Sequence, residues 1–313
     1  MLDSVLVIAF NRPDLLVTQF ESLRNSGVKR IYVSIDGPRN NHPGDVSLVE
    51  QCRSLALEID WAIEVHTLFH QENLGCGKGV TSAIDWFFGH VERGIILEDD
   101  VIADPSFFPY MSAMLDLYES DPRVLGICGT NLVPNSELDA TASYRFSSHP
   151  YIWGWATWLR AWEMNELDIT EWQKRLPFRK LWRLSGGTLF GYLYWRNNFK
   201  RVASGAIDTW DVQWMVTAWE IDGLFIASNT NLVRNTGWRE DATHTKTEIP
   251  AHVLAVSSFP AKTVHPVTVQ ADQRADRWVM RNTFPTTVRS VASRVSLKIW
   301  TVAGRSNPRR EAR

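Results

Sequence analysis

Cysteine is scarce in this chain. The 313 residues hold three, Cys52, Cys76 and Cys128, odd in number and without the paired spacing of a metal site or disulfide framework. That excludes a disulfide-stapled scaffold and fits free thiols in a reducing cytoplasm. A large charge of one sign is also lacking: 33 Lys and Arg against 35 Asp and Glu leave a formal net charge of −2. A chain so balanced is not built as a whole to hold nucleic acid. No apolar run reaches the roughly 18 residues of a transmembrane helix. The opening stretch, MLDSVLVIAFNRPD, has no basic n-region, so it reads as a first strand and not as a signal peptide. Internal repeats and low-complexity tracts are missing as well.

What is present in excess is tryptophan. Eleven of the 15 lie between Trp153 and Trp238, so the composition changes near residue 150. Tryptophan fills cores, and it also makes flat platforms for sugar rings. Before that change, short β-branched runs alternate with amphipathic stretches. Strands are expected at Ser4–Phe10, Arg30–Ile35, Trp61–Leu68, Gly94–Leu97 and Val124–Gly129. Helices are expected at Asp14–Ser26, Val46–Leu57, Gly79–His90 and Ser106–Ser120. Further on, helices are expected at Glu171–Leu184, Leu189–Val202 and Asp211–Asp222, and a strand at Gly223–Ser228. Strand–helix alternation predicts an α/β fold with a mostly parallel, Rossmann-like sheet flanked by helices.

Ligands of such sheets bind beyond the carboxyl ends of the strands. Three strand ends carry polar residues: Asn11-Arg12, Asp36, and the triplet Glu98-Asp99-Asp100 after the apolar GIIL. Adjacent carboxylates repel one another, and a divalent cation relieves that repulsion. Hard Mg²⁺ or Mn²⁺ takes carboxylate, phosphate and water oxygens. The segment Asn73–Gly79, NLGCGKG, precedes a helix. It reads either as an anion site of backbone N–H groups with Lys78 adding charge, or as a flexible entry loop. It lacks the P-loop spacing, which argues against an ATPase. Asp208 and Asp211 stand where a helix begins; each reads as an N-terminal cap or as a base that deprotonates an acceptor hydroxyl.

Several motifs occur in order: AFNRPD (Ala9–Asp14), VSIDGPRN (Val33–Asn40), NLGCGKG, LEDDVIADPSFF (Leu97–Phe108), WGWATW (Trp153–Trp158), DTWDVQWM (Asp208–Met215) and NTGWREDATHT (Asn235–Thr245). Together they resemble the nucleotide-diphospho-sugar glycosyltransferases of the GT-A fold. More narrowly, they are similar to the N-acetylglucosaminyltransferases of N-glycan branching and their bacterial relatives. The resemblance covers most of residues 4–245 and implies the following roles. Asp100 coordinates the metal that bridges the donor diphosphate, Asp99 contacts the ribose or the metal shell, and Glu98 hydrogen-bonds donor-sugar hydroxyls. Arg12 approaches the nucleotide, and Asp36 accepts from uracil N3–H. Asp211 is the catalytic base, with Asp208 as second candidate. In the segment around residue 240, His244 is an extra metal ligand or diphosphate contact, and Arg234 or Arg239 neutralises the leaving diphosphate.

The resemblance implies a metal-dependent, inverting transferase that moves a sugar from a nucleotide-sugar donor, here UDP-linked, to a hydroxyl of a glycan or lipid-linked saccharide. Cell-surface polysaccharide synthesis is the expected setting. Residues 1–130 are expected to bind the donor. Residues 131–260 are expected to form the acceptor-binding, catalytic half of the same domain, and 261–313 a basic extension. The stretch from Arg289 to Arg313 carries seven basic residues and one acidic, which fits either a helix on anionic lipid or a solvated tail. Two rivals stand beside this reading. One is a nucleotidyltransferase that makes a nucleotide sugar, although AFNRPD offers no Gly-rich basic loop after the first strand. The other is a non-catalytic carbohydrate-binding protein.

Overall fold

Strand β1 (Val5–Ala9) is buried along its whole length, as expected of a VLVIA run with no polar alternation. In the computed structural model, which describes residues 2–139, 141–237 and 255–284, it is the centre of the fold. Helix α1 (Pro13–Ser26) follows, started by a proline in its first turn and stopped by Gly27 in the left-handed conformation. Then come β2 (Arg30–Ile35), α2 (Pro43–Leu57), β3 (Glu64–Phe69), α3 (Gly75–Phe88) and β4 (Arg93–Glu98). The chain continues through β5 (Val101–Ala103), α4 (Phe107–Leu117), β6 (Val124–Cys128), β7 (Tyr144–Ser147) and β8 (Trp155–Trp158). Helices α5 (Leu159–Trp162), α6 (Trp172–Arg175), α7 (Phe178–Leu184), α8 (Leu189–Ala203) and α9 (Asp211–Glu220) lead to β9 (Leu224–Ser228) and β10 (Val233–Asn235). Helix α10 (Gln273–Asn282) is the last described element.

Eight strands form one mostly parallel sheet in the order β3-β2-β1-β4-β8-β6-β9-β7. Strands β3, β2, β1 and β4 run parallel, as do β6 and β9. Strand β8 lies antiparallel between β4 and β6, so the sheet is continuous through both halves of the chain. One face buries apolar residues of α1, α2 and α4; the other buries those of α3, α9 and α10. A satellite cluster joins α6, α7, α8 and α9 around Trp195, Phe199 and Trp219.

The structure departs from expectation at informative places. The anticipated helix over 171–184 is two short ones, α6 and α7. Pro177 has no N–H to continue the ladder and keeps Leu176 out of helical geometry, at φ −122°, ψ 79°. For strand β8, WATW, the choice between sugar platform and core falls to core: all four of its residues are buried inside the sheet. Trp155 stacks on Trp210, with ring centroids 5.6 Å apart. Most of the tryptophan excess is core.

Candidate functional site

Strands β1, β2 and β4 are parallel neighbours, so their carboxyl ends share one rim. The connection from β1 turns to β2 on one side and that from β3 crosses to β4 on the other, so the strand order reverses there, which is where open α/β sheets hold ligands. A cavity of about 740 Å³ opens on that rim. It is lined from β1, β2 and β4 by Phe10, Arg12, Asp36 and Glu98–Asp100, and from the second half by Trp153, Asp208 and Asp211.

Arg12 bridges the acidic triplet. Its guanidinium pairs with both oxygens of Asp99 and donates to Asp100 Oδ2 at 3.0 Å. Burial works against its charge, but Asp99 and then Asp100 outweigh that, and its pKa stands above the ordinary arginine value. Asp99 is 1% exposed, and burial raises its pKa although Arg12 opposes the rise. The expected relief of like-charge repulsion is therefore supplied in large part by a side chain from the neighbouring strand. Arg12 occupies the N-cap position of α1 but makes no side-chain capping bond there.

Asp36 and Asp208 both serve helix α3. The N–H groups of Leu74 and Gly75 donate to Asp36 at 2.9 and 3.2 Å, those of Cys76 and Gly77 to Asp208 at 2.8 and 2.9 Å. A helix leaves four N–H groups unpaired at its start, and these two carboxylates satisfy all four. Asp36 also accepts from Gly37 N–H and the Asn73 amide. Burial raises its pKa, with the amides of Leu74 and Gly37 opposing. A Cβ on Gly75 or Gly77 would stand 2.4 or 2.6 Å from an Asp208 oxygen, so the glycines admit a carboxylate of this same chain. The NLGCGKG segment is thus neither an open anion site nor a flexible loop. It is the first turn of α3, started four residues earlier than expected. Lys78 is exposed and does not line the cavity.

Asp211 opens α9 and lines the cavity, and Thr209 O–H donates to its Oδ1. Glu98, the last residue of β4, faces the same space. Burial, then Asp100 and Asp99, and further on Asp211, push its pKa up to about 8. Cys76 sits among these groups, and burial followed by Glu98 and Asp211 raises its thiol well above the usual value. Trp210 is buried beneath the start of α9, and Trp214 is fully buried deeper in the core.

Asp100 is the triplet member with capacity to spare. Among the described residues its Oδ1 meets only the Asn235 amide, at 3.5 Å. Among the described residues no group of three His, Cys, Asp or Glu side chains could hold a metal ion by itself. A hard cation bound through one carboxylate, phosphate oxygens and water fits this donor set, whereas a preformed protein cage does not. The chain crosses close over Asp100: Thr236 N–H donates to its carbonyl at 2.7 Å, and a Cβ on Gly237 would lie 2.2 Å from Oδ2. Arg239 and His244 lie outside the described residues, as does the basic stretch 289–313. Arg234 is exposed and not part of the cavity wall.

Arg39 carried no role in the sequence reading, yet it lines the cavity with its guanidinium 5.3 Å from the Phe10 ring. It pairs with Asp45 at 2.6 Å, and this bond pulls the Asp45 pKa down to about 2. Its place directly after the Gly37-Pro38 turn was the available signal.

No protein-family model matches the chain, and no curated protein does. Solved structures give a distant likeness. HddC from Yersinia pseudotuberculosis is 16% identical over 40% of this chain, with TM-score 0.26; the chain spans 58% of that protein's length. A UDP-glucose pyrophosphorylase complexed with UDP-glucose is 8% identical over 73% of this chain and 90% of its own, with TM-score 0.35. Its name stands nearer to the nucleotidyltransferase alternative than to sugar transfer, but a likeness this distant carries no argument about activity. No helix of the described residues is long and apolar enough to cross a membrane.

Proposed function

We propose that the cavity binds a nucleoside diphosphate sugar and that the protein transfers the sugar to a hydroxyl of a glycan or glycolipid. The observation that carries this reading is the convergence of Asp100, Glu98 and Asp211 on one cavity at the sheet's switch point. Asp100 would hold a divalent cation, Mn²⁺ or Mg²⁺, together with diphosphate oxygens; when bound, that cation neutralises charge on the departing diphosphate. Asp211 accepts the proton of the attacking hydroxyl, and the Thr209 bond to its Oδ1 orients it while no hydrogen bond among the described residues engages Oδ2. Glu98, whose burial and acidic neighbours favour its protonated form, is placed to hydrogen-bond a donor-sugar oxygen. Arg12 keeps Asp99 and Asp100 in register, and Arg39 beside Phe10 offers a cation and a ring face to a nucleotide.

The second reading, a nucleotidyltransferase that forms the nucleotide sugar, uses the same ligand. Against it, β1 is followed by Phe10-Asn11-Arg12, without a Gly-rich basic loop. Calorimetry with UDP separates metal dependence from simple binding. Wild type is expected to bind UDP more tightly with Mn²⁺, and Asp100→Ala to lose that gain; equal affinity with and without metal would sink the Asp100 assignment. Release of UDP from UDP-sugars then marks a transferase, and release of pyrophosphate from UTP with a sugar 1-phosphate marks the alternative.

A further inference from the structure

The stretch Trp172–Ala203 holds eight Lys and Arg and not one Asp or Glu, in a chain whose net charge is −2. It is also where large apolar side chains face solvent. Phe178 is 58% exposed, Leu189 56%, Leu193 44% and Phe190 38%. The rings of Phe178 and Tyr192 lie 5.0 Å apart and those of Phe178 and Trp182 5.8 Å, so α7 and α8 present one joined patch. Along α8 the buried face carries Trp195, Phe199 and Val202. The opposite face carries Leu189, Leu193, Arg196 and Lys200 at steps of four, three and four residues. Its first half is apolar and its second half basic.

Some of these cations already have partners. Arg175 pairs with Glu166 and Glu220, and Lys180 and Arg183 with Asp222. No salt bridge among the described residues joins Arg179, Arg196, Lys200 or Arg201 to a carboxylate.

We infer that α7 and α8 form a docking surface for an anionic lipid bilayer, with Phe178, Leu189, Phe190 and Leu193 at the acyl boundary and Arg179, Arg196, Lys200 and Arg201 among the headgroups. Large apolar side chains beside Lys and Arg on one helical face are the composition of interfacial helices. The charge disfavours other occupants. A second copy would bring the same basic face. The chain beyond Phe284 is itself basic from Arg289 to Arg313. A nucleic acid backbone matches the cations but offers nothing to four exposed apolar side chains. The inference does not depend on the reaction assigned to the cavity, and its test reads no activity.

Flotation of the full-length protein with phosphatidylcholine vesicles, with and without phosphatidylglycerol, tests it at low and high salt. Wild type is expected to float with the anionic vesicles and to be released by salt. Arg196→Glu/Lys200→Glu is expected to weaken partitioning by about thirty-fold or more, at about five-fold for each lipid-facing cation lost. Leu189→Ser/Leu193→Ser is expected to weaken it by about ten-fold. All four side chains are solvent-facing, so an unchanged thermal melt verifies that each variant is folded. Wild type that stays in solution, or variants that float as wild type does, overturn the inference. So does binding to an oligonucleotide without vesicle binding, or a dimer that the leucine variant dissociates while vesicles are ignored.

Discussion

Six carboxylates line the cavity, and they fall into two sets. Asp36, Asp99 and Asp208 are surrounded by donors of this same chain: the opening turn of α3 for Asp36 and Asp208, and Arg12 for Asp99. Asp100, Glu98 and Asp211 keep lone pairs or a proton facing the cavity. Both sets are acidic, both sit beside a helix start or strand end, and by residue type they look alike. What separates them is whether the protein itself supplies the hydrogen-bond partners. A fully satisfied carboxylate holds structure together, and one with spare capacity can hold a ligand or take a proton.

The comparison can be broken most forcefully at Asp211. Asp211→Asn is expected to lower turnover by about 10²–10⁴-fold while leaving UDP binding intact; steady-state rates beside calorimetry read both, and full turnover would place the base elsewhere. Next comes Asp208, whose loss strands two N–H groups of α3. Asp208→Ala is expected to cost about 1–3 kcal/mol of stability in denaturant unfolding. Gly77→Ala should do similar damage by driving a Cβ against the same carboxylate. A stable Asp208→Ala that has lost only turnover would move Asp208 into the other set.

A smaller effect concerns Glu98. Its folded pKa, about 8, lies above the unfolded value near 4.5, so the folded chain binds the proton more tightly. Its contribution to stability is complete below the unfolded value and is lost as pH rises through about 8. Glu98→Gln, which stays neutral, is expected to flatten the fall in melting temperature between about pH 4.5 and pH 8, measured in chelator. The least effect is expected of Lys78→Ala: UDP affinity within about two-fold of wild type, since this side chain is exposed and outside the cavity wall.

Much of the architecture was legible in advance. Arg30–Ile35 is the strand expected from RIYVSI, and VLVIA and GIIL mark β1 and β4, because a buried parallel strand advertises itself as an unbroken apolar run. Strand β8 was hidden because WATW is only four residues long and rich in tryptophan, which serves cores and sugar platforms equally well. Strand β7 was hidden for a related reason. Its Arg145 is buried beside Asn229 and would have been taken for a surface residue. At the site, the acidic triplet, Arg12 and Asp36 were all found on the rim, but their pairings were not foreseen. Asp208 lies 132 residues from Cys76, and nothing local to either reveals the contact.

The amino-acid sequence alone determined the parallel half of the sheet and the rim on which its polar strand ends meet. Periodicity and β-branching act locally, and the carboxyl ends of parallel strands must lie on one side. Only the tertiary structure decided which carboxylates are available for chemistry. That depends on donors brought from distant segments: Arg12 to Asp99, and the amides of α3 to Asp208. It decided too that six basic residues and four exposed apolar ones share the helical pair α7 and α8. A charge run is visible in a sequence, but the face it occupies is set by what the core has already claimed.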